Sequence, residues 1–272
     1  SYNGGPIRVA DASFDDGVAE DAQVLTEVVQ PVQDYVAGLE SQIVAETSIL
    51  LMGERSKIRS RETNLGNLIT DGYRAITLDV AQNFGLNLDE DRLVAVANGG
   101  GIRDEIPAGE ISAKQTFDVL PFGNILAVVE NVSPELLLEI MENAVSRIDP
   151  ATGEAAGGGT GRFAQISGFS VEFDPTKTAI EYNDGAPTVD LVTADFTARG
   201  GDQYPFRGAS FTTIGLTYQQ SLQIYLEDYL GSFVTALDYP LQGEGRIVDL
   251  ANPIQAGFTL TVLHNNDGES QL

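Results

Sequence analysis

The sequence predicts a mixed α+β domain, in which helices pack against a mixed sheet. Segments with apolar residues at helical spacing are interleaved with short strand-like segments, and the order lacks the regular strand-helix alternation of parallel α/β folds. The chain has 272 residues, of which 42% are hydrophobic. This is enough for one large core with an appended arm.

The first predicted helix covers residues 21–40, and Pro31 lies inside its apolar pattern. Because proline has no amide hydrogen, we expect it to kink or split this helix. Such a helix suits a connector between domains, so we interpret residues 1–41 as an interdomain linker and connector helix. The segment 43–52 is rich in Val, Ile, Leu and Thr and is predicted as a strand.

Three further helices are predicted. Residues 64–84 form the longest, with Gly85 placed to end it. Ser133 is the expected N-cap of the next, with Pro134 in its first position. Residues 217–230 form the last, and the side chains expected to face inward there are Leu222, Tyr225, Leu226 and Tyr229.

Two more strands are predicted between these helices. Residues 93–97 form a short buried strand that runs into Asn98 and three glycines, and residues 169–173 alternate as Phe169, Val171 and Phe173. The main domain is finished after Ile247.

The charge excludes one class of partner. The chain has 40 Asp and Glu against 15 Lys and Arg, a net charge of -25, so a nucleic-acid backbone would be repelled. The acidity either keeps the surface solvated or reflects adaptation to a salty or calcium-rich exterior. The absence of cysteine excludes disulfides and thiolate metal sites without fixing the compartment. We also expect no membrane span, because the apolar runs are too short.

Two segments favour an anion or ligand site. Arg59 and Arg61 precede a predicted helix start, where fixed positive charge and free amides attract anions; surface ion pairs are an equal alternative. In residues 98–103, three glycines let the backbone approach a ligand, Asn98 offers both a donor and an acceptor, and Arg103 adds a charge. A simple tight turn would need fewer glycines.

Two phenylalanines lie in loops that also contain glycine. Phe122 and Phe196 could stack on a flat ring such as a nucleic-acid base, although a phenylalanine considered alone is more often a core residue. Asp202 follows a Gly-Gly turn and could accept hydrogen bonds from both hydroxyls of a ribose.

Six segments, in order, resemble the C-terminal domain of the 5'-nucleotidase and 2',3'-cyclic phosphodiesterase family over about residues 42–248. They are RETNLGNLITD, NGGGIRDEIPAGEIS, VLPFGN, GRFAQISGFSVEFD, ARGGDQY and EGRI. The resemblance implies that residues 42–250 form the family's substrate-binding domain.

The resemblance also implies roles for seven residues of a nucleotide site. They are Arg59 for the substrate anion, Asn98 and Arg103 for the phosphate and nucleoside, Phe122 and Phe196 as a sandwich around the base, Asp202 for the ribose hydroxyls, and Gly161 as a backbone contact. Arg199 stands where some members of the family have Asn.

The family's chemistry, as the resemblance implies, needs two divalent metal ions on an N-terminal metallophosphatase domain. This chain has one His, so we expect Zn, Mn or Mg to be held by that other domain and none to be bound here. Residues 258–269 resemble the opening strand of such a domain, with Asp267 as a possible ligand of an incomplete metal site and Glu269 departing from the pattern. We therefore expect residues 251–272 to be a linker and the first strand of a following metallophosphatase domain.

The leading hypothesis is that a longer parent protein hydrolyses nucleotides with a metal-activated water, that this domain selects the nucleoside, and that the chain alone is inactive. Its expected partners are a nucleoside or nucleotide and the N-terminal metallophosphatase domain. One alternative is a non-catalytic nucleotide-binding or surface interaction module of a large exported protein, and another is a degenerate structural repeat. The family implies a periplasmic, cell-surface or extracellular location.

Overall fold

A computed structural model describes residues 20–176 and 188–252. The predicted tail strand at residues 258–263 and the possible metal ligand Asp267 lie outside the described residues.

The described helices confirm the predicted helical segments. The α-helices are α1 (Ala22–Val24), α2 (Gln30–Ser41), α3 (Arg55–Ile58), α4 (Asn64–Val80), α5 (Ala113–Val119), α6 (Pro134–Val145), α7 (Asp195–Ala198) and α8 (Tyr218–Ile224). A connector helix comprises α1, a π-helical segment at Leu25–Val29, and α2. The last long helix continues from α8 into a π-helical segment at Tyr225–Tyr229.

The strands of the described residues form three sheets. The strands are β1 (Ile43–Thr47), β2 (Leu93–Asn98), β3 (Gly109–Ser112), β4 (Ile125–Val132), β5 (Ala164–Ser167), β6 (Val171–Phe173), β7 (Val189–Ala194), β8 (Thr212–Thr217), β9 (Phe233–Val234) and β10 (Ile247–Asp249). The largest sheet has five strands in the order β5-β2-β7-β4-β8, and two smaller sheets have the orders β3-β1-β9 and β10-β6.

The five-stranded sheet is covered on both faces, which confirms the α+β prediction. All six residues of β2 are buried, and because side chains alternate along a strand they enter two different cores. Ala95 packs in one core with residues of α4 and α8, whereas Val96 packs in the other with residues of α6. The sheet is therefore a rigid central layer for the loops at its ends.

Local capping signals explain where the long helices begin and end. The Thr63 side chain accepts a hydrogen bond from the Gly66 amide at the start of α4, and Ser133 does the same for Leu136 at the start of α6. Gly85, with φ 76°, ends the 3-10 turn that follows α4.

The connector helix keeps helical backbone on both sides of Pro31, so of the predicted kink or split the split does not occur. A π-helical segment at Leu25–Val29 ends two residues before the proline, and both π-segments and prolines are usual sites of kinks in helices. Leu39 packs against the core, while Val32 and Tyr35 are exposed.

Two further local predictions differ from the structure. The strand predicted at 43–52 ends at Thr47, after which only Leu51 forms an isolated bridge, to Ile106. Tyr229 is 39% exposed because its hydroxyl contacts Asp79 at the surface.

Within the described ranges, no helix has the length and apolarity needed to span a membrane.

Candidate functional site

One open cavity of about 270 Å³ is lined by all seven residues that the sequence analysis placed at a nucleotide site. Gly100, Gly101 and Asn124 complete its wall. The seven predicted residues are Arg59, Asn98, Arg103, Phe122, Gly161, Phe196 and Asp202.

Sheet topology explains why such distant residues meet. β2 is parallel to β7, while β5 is antiparallel to β2 and β4 is antiparallel to β7. The ends of β2 and β7 therefore lie at the same sheet edge as the starts of β5 and β4. At these four strand ends lie Asn98, the last residue of β2, Phe196 on α7 directly after β7, and Gly161 and Phe122 in the loops before β5 and β4.

The triple-glycine turn brings two backbones into direct contact. The Gly100 amide donates to the Gly161 carbonyl at 2.9 Å. A Cβ at Gly100 would lie 2.5 Å from the Gly161 Cα, closer than real Cβ atoms approach. Glycine is thus required at Gly100 for packing against the neighbouring loop.

Arg59 is a buried cation at the floor of the cavity. It is only 5% exposed, and one guanidinium nitrogen donates to the Gly159 carbonyl at 3.0 Å. Its Nε has no hydrogen-bond partner among the described residues. Burial, together with Arg55 and Arg103, lowers the pKa of Arg59. An anionic ligand in the cavity would offset this positive charge.

The two arginines that precede α4, Arg59 and Arg61, line different cavities. Arg61 lines a different, larger cavity of about 660 Å³, which also contains Glu62 and Phe173. Of these two arginines, Arg59 therefore lines the cavity shared with the other predicted site residues, and Arg61 does not.

Phe122 and Arg103 lie side by side at the mouth of the cavity. Phe122 is 47% exposed, and the Arg103 guanidinium carbon lies 5.7 Å from the centre of its ring. The Phe122 amide donates to the Tyr218 hydroxyl at 2.8 Å, and that hydroxyl in turn donates to the Gly101 carbonyl at 3.5 Å. Burial raises the pKa of Tyr218 to about 12.

Phe196 is also exposed rather than part of the core, at 43%. Its ring lies directly against Gly201, where a side chain would collide with it. The preceding Asp195 accepts a hydrogen bond from the Ile125 amide at 3.0 Å, which ties this segment to the start of β4, three residues after Phe122.

Asp202 is held in a left-handed conformation, with φ 52°, that residues other than glycine rarely adopt. Its Oδ2 accepts a hydrogen bond from Asn98 Nδ2 at 2.7 Å, and its backbone carbonyl accepts one from Asn143 Nδ2 at 3.4 Å. Strained backbone of this kind is common at ligand sites. The arrangement presents a carboxylate at the cavity wall.

Sequence reasoning missed residues that support the loops. The sequence indicates no site role for Tyr218 or Asn143, which lie in predicted helices, or for Asn124 in the segment VLPFGN. The sequence carried no periodic signal for them, because each acts through a contact across more than 50 residues, as in the bond from Asn143 to Asp202.

Arg199 does not line the cavity. Its guanidinium carbon lies 4.9 Å from the centre of the Phe211 ring.

The profile of the family described as "5'-nucleotidase, C-terminal domain" matches residues 43–209. The chain belongs to this family. Curated relatives include Protein UshA of Escherichia coli, 32% identical over 190 residues, which cover 69% of this chain and 31% of UshA. Another is the trifunctional nucleotide phosphoesterase protein YfkN of Bacillus subtilis, 30% identical over 181 residues, which cover 61% of this chain and 11% of YfkN.

A solved member has the same fold. The 5'-nucleotidase precursor from Thermus thermophilus superposes with a TM-score of 0.65 at 31% identity, covering 82% of this chain and 42% of that protein. The 5'-nucleotidase C-terminal domain family therefore accounts for the architecture, and the chain spans less than half the length of these relatives.

Proposed function

We propose that this chain is the nucleoside-binding and nucleotide-binding domain of a metal-dependent 5'-nucleotidase, and that the parent protein hydrolyses nucleotide phosphate esters. The observation that carries the proposal is the convergence of the seven residues on one cavity. Their side chains complement the three parts of a nucleotide. Cations would bind the phosphate, exposed aromatic rings the base, and a carboxylate the two hydroxyls of the ribose.

The positions of the charges support a definite orientation for the ligand. Arg59, with its unpaired buried Nε, would hold the anionic group together with Arg103. Phe122, in the loop before β4, and Phe196, on the short helix α7, are both exposed at the same sheet edge, as needed to stack on the two faces of a base. Asp202 would accept hydrogen bonds from the ribose hydroxyls.

The catalytic metal ions belong, in this proposal, to a separate metallophosphatase domain, which would also be the partner of this one. Residues 20–176 and 188–252 contain no group of three or more His, Asp or Glu side chains placed to hold a metal ion. Zn, Mn or Mg in the other domain would activate the attacking water, and we assign no catalytic step to the residues described. A periplasmic, cell-surface or extracellular location is proposed from the family likeness.

Isothermal titration of the 272-residue chain with adenosine and with AMP tests this proposal. We expect both ligands to bind, and we expect Phe122→Ala and Phe196→Ala each to weaken binding by about 1–3 kcal/mol, the contribution of a stacked base. Phe117→Ala is the matched control, since Phe117 is 40% exposed on α5 and does not line the cavity. Absence of binding by the unmodified chain, or equal losses in all three variants, would contradict the assignment.

A further inference from the structure

Three side chains form a hydrogen-bonded series that begins beneath the cavity and ends at its wall. Thr197 is fully buried in α7, and its hydroxyl donates to Asn98 Oδ1 at 3.2 Å. The other end of the same carboxamide, Asn98 Nδ2, donates to Asp202 Oδ2 at 2.7 Å. Thr197 does not line the cavity, and its hydroxyl reaches the site through Asn98.

The two ends of the Asn98 carboxamide are not equivalent. A carboxylate can only accept hydrogen bonds, so Asp202 requires the NH₂ group of Asn98 to face it. Asn98 Oδ1 then points away from Asp202, and the residue as a whole is only 6% exposed. A buried oxygen without a donor costs free energy. The Thr197 hydroxyl supplies the donor and so stabilises the orientation that Asp202 needs.

The Asp202 carboxylate is confined on a second side by Gly161. A Cβ at Gly161 would lie 2.5 Å from Asp202 Oδ2 and 2.9 Å from Oδ1, so only glycine leaves room for this rotamer. Among the described residues, the Asn98 amide is the donor to this carboxylate, and it occupies Oδ2. Oδ1 is left to accept hydrogen bonds from a ligand.

We propose that Thr197 is a positioning residue that sets the preference of this site for ribose over deoxyribose. Its hydroxyl fixes the Asn98 carboxamide, and Asn98 holds the Asp202 carboxylate in the orientation that meets the hydroxyls of a ribose. This inference rests on the proposed nucleotide-binding function and adds to it a sugar-specificity role for a residue outside the cavity.

A pair of substitutions separates the hydroxyl from the packing of Thr197. Thr197→Val keeps the shape and removes the hydroxyl, whereas Thr197→Ser keeps the hydroxyl and removes a methyl group. Thr193→Val is the matched control, because Thr193 is fully buried on the adjoining β7 and its hydroxyl has no partner among the described residues. Thermal unfolding of each variant verifies that it is folded.

Calorimetry with adenosine and 2'-deoxyadenosine gives the first measurement. We expect Thr197→Val to weaken adenosine binding about tenfold, the upper range for loss of one hydrogen bond, and deoxyadenosine binding less than about twofold. Thr197→Ser and Thr193→Val should keep the ratio of the two affinities. Equal losses for both ligands, or the same loss in Thr197→Ser as in Thr197→Val, would overturn the proposal.

Hydrogen exchange of the Asn98 side-chain amide, followed by NMR without ligand, gives the second measurement. We expect exchange to be at least about fivefold faster in Thr197→Val than in Thr197→Ser, since the loss of one hydrogen bond changes a local equilibrium by about this factor. If the unmodified chain binds no nucleoside, the proposed function fails, and the exchange rates still decide the link between Thr197 and Asn98. Equal rates would overturn that link.

Discussion

Asp202 shows how one side chain depends on several neighbours. Its left-handed backbone, with φ 52°, is uncommon outside glycine, although Asp tolerates it better than most residues. Asn98 holds the carboxylate and Asn143 holds the backbone carbonyl. Gly161 leaves the space that the carboxylate fills. The orientation of the Asp202 carboxylate therefore depends on residues from three distant segments of the chain.

Substitution of Asp202 tests its role with the sugar. We expect Asp202→Ala to weaken adenosine binding by about 1.5–3 kcal/mol, the range for hydrogen bonds to a charged group, and to weaken 2'-deoxyadenosine binding less. Isothermal titration of both ligands measures the difference. Equal losses would mean that Asp202 supports its loop rather than contacting the sugar hydroxyls.

Individual site residues were predictable only in part from the sequence. The exposure of Phe122 and Phe196 could not be deduced from periodicity, because an aromatic residue considered alone is more often in the core. The neighbouring Pro and Gly residues predicted a loop for each, whereas the structure places Phe196 on α7. The sequence order gave no indication that Arg59 and Arg61, two residues apart, line different cavities. That separation depends on how the short α3 leads into α4.

Among the helices, α8 links two loops of the site through its first residue. The Tyr218 hydroxyl accepts the Phe122 amide hydrogen and donates to the Gly101 carbonyl. This couples the loop before β4 to the triple-glycine turn after β2. The position of Phe122 therefore depends on a helix that contributes no residue to the cavity lining.

Removal of the Tyr218 hydroxyl should loosen this link. Tyr218→Phe leaves the Phe122 amide without its acceptor, at a cost of about 1–3 kcal/mol in the free energy of unfolding, and should weaken adenosine binding. Tyr225→Phe is the control, because its hydroxyl bonds Tyr239 away from the cavity. Urea unfolding and calorimetry measure the two effects, and unchanged adenosine binding in Tyr218→Phe would contradict the role of α8.

The helices were easier to predict than the sheets, for a physical reason. Helix limits depend on residues within one turn, such as Thr63, Ser133 and Gly85, whose caps the structure shows. The order β5-β2-β7-β4-β8 depends on pairings between distant segments. Apolar periodicity indicates that a strand is buried but not which strand is its neighbour.

For the molecule as a whole, the buried tyrosines predict reduced stability in alkali. Burial raises the pKa of Tyr218 to about 12, against about 10 in an unfolded chain. Between about pH 10 and 12, the unfolded chain has lost this proton while the folded chain retains it. The free energy of unfolding should therefore fall as pH rises, by up to about 1.4 kcal/mol per pH unit for this residue.

Urea unfolding at pH 9 and pH 11 measures this fall. Burial also raises the pKa of Tyr73 and Tyr204, so the unmodified chain should lose more stability than Tyr218 alone accounts for. Tyr218→Phe should show a smaller decrease between the two pH values. An identical decrease in the variant would show that Tyr218 does not contribute to the alkaline transition.

Binding and catalysis are divided between two domains in the proposed parent protein. Hydrolysis of a phosphate ester in this family, as we propose it, uses a water activated by metal ions, and the described residues offer no group of side chains that could hold them. We therefore expect the 272-residue chain to bind AMP and yet release no phosphate above a buffer blank when Zn, Mn or Mg is added. Titration of AMP into the same preparation shows that the site is intact. Phosphate release that a chelator abolishes would place a catalytic metal site within this chain and refute the proposed division.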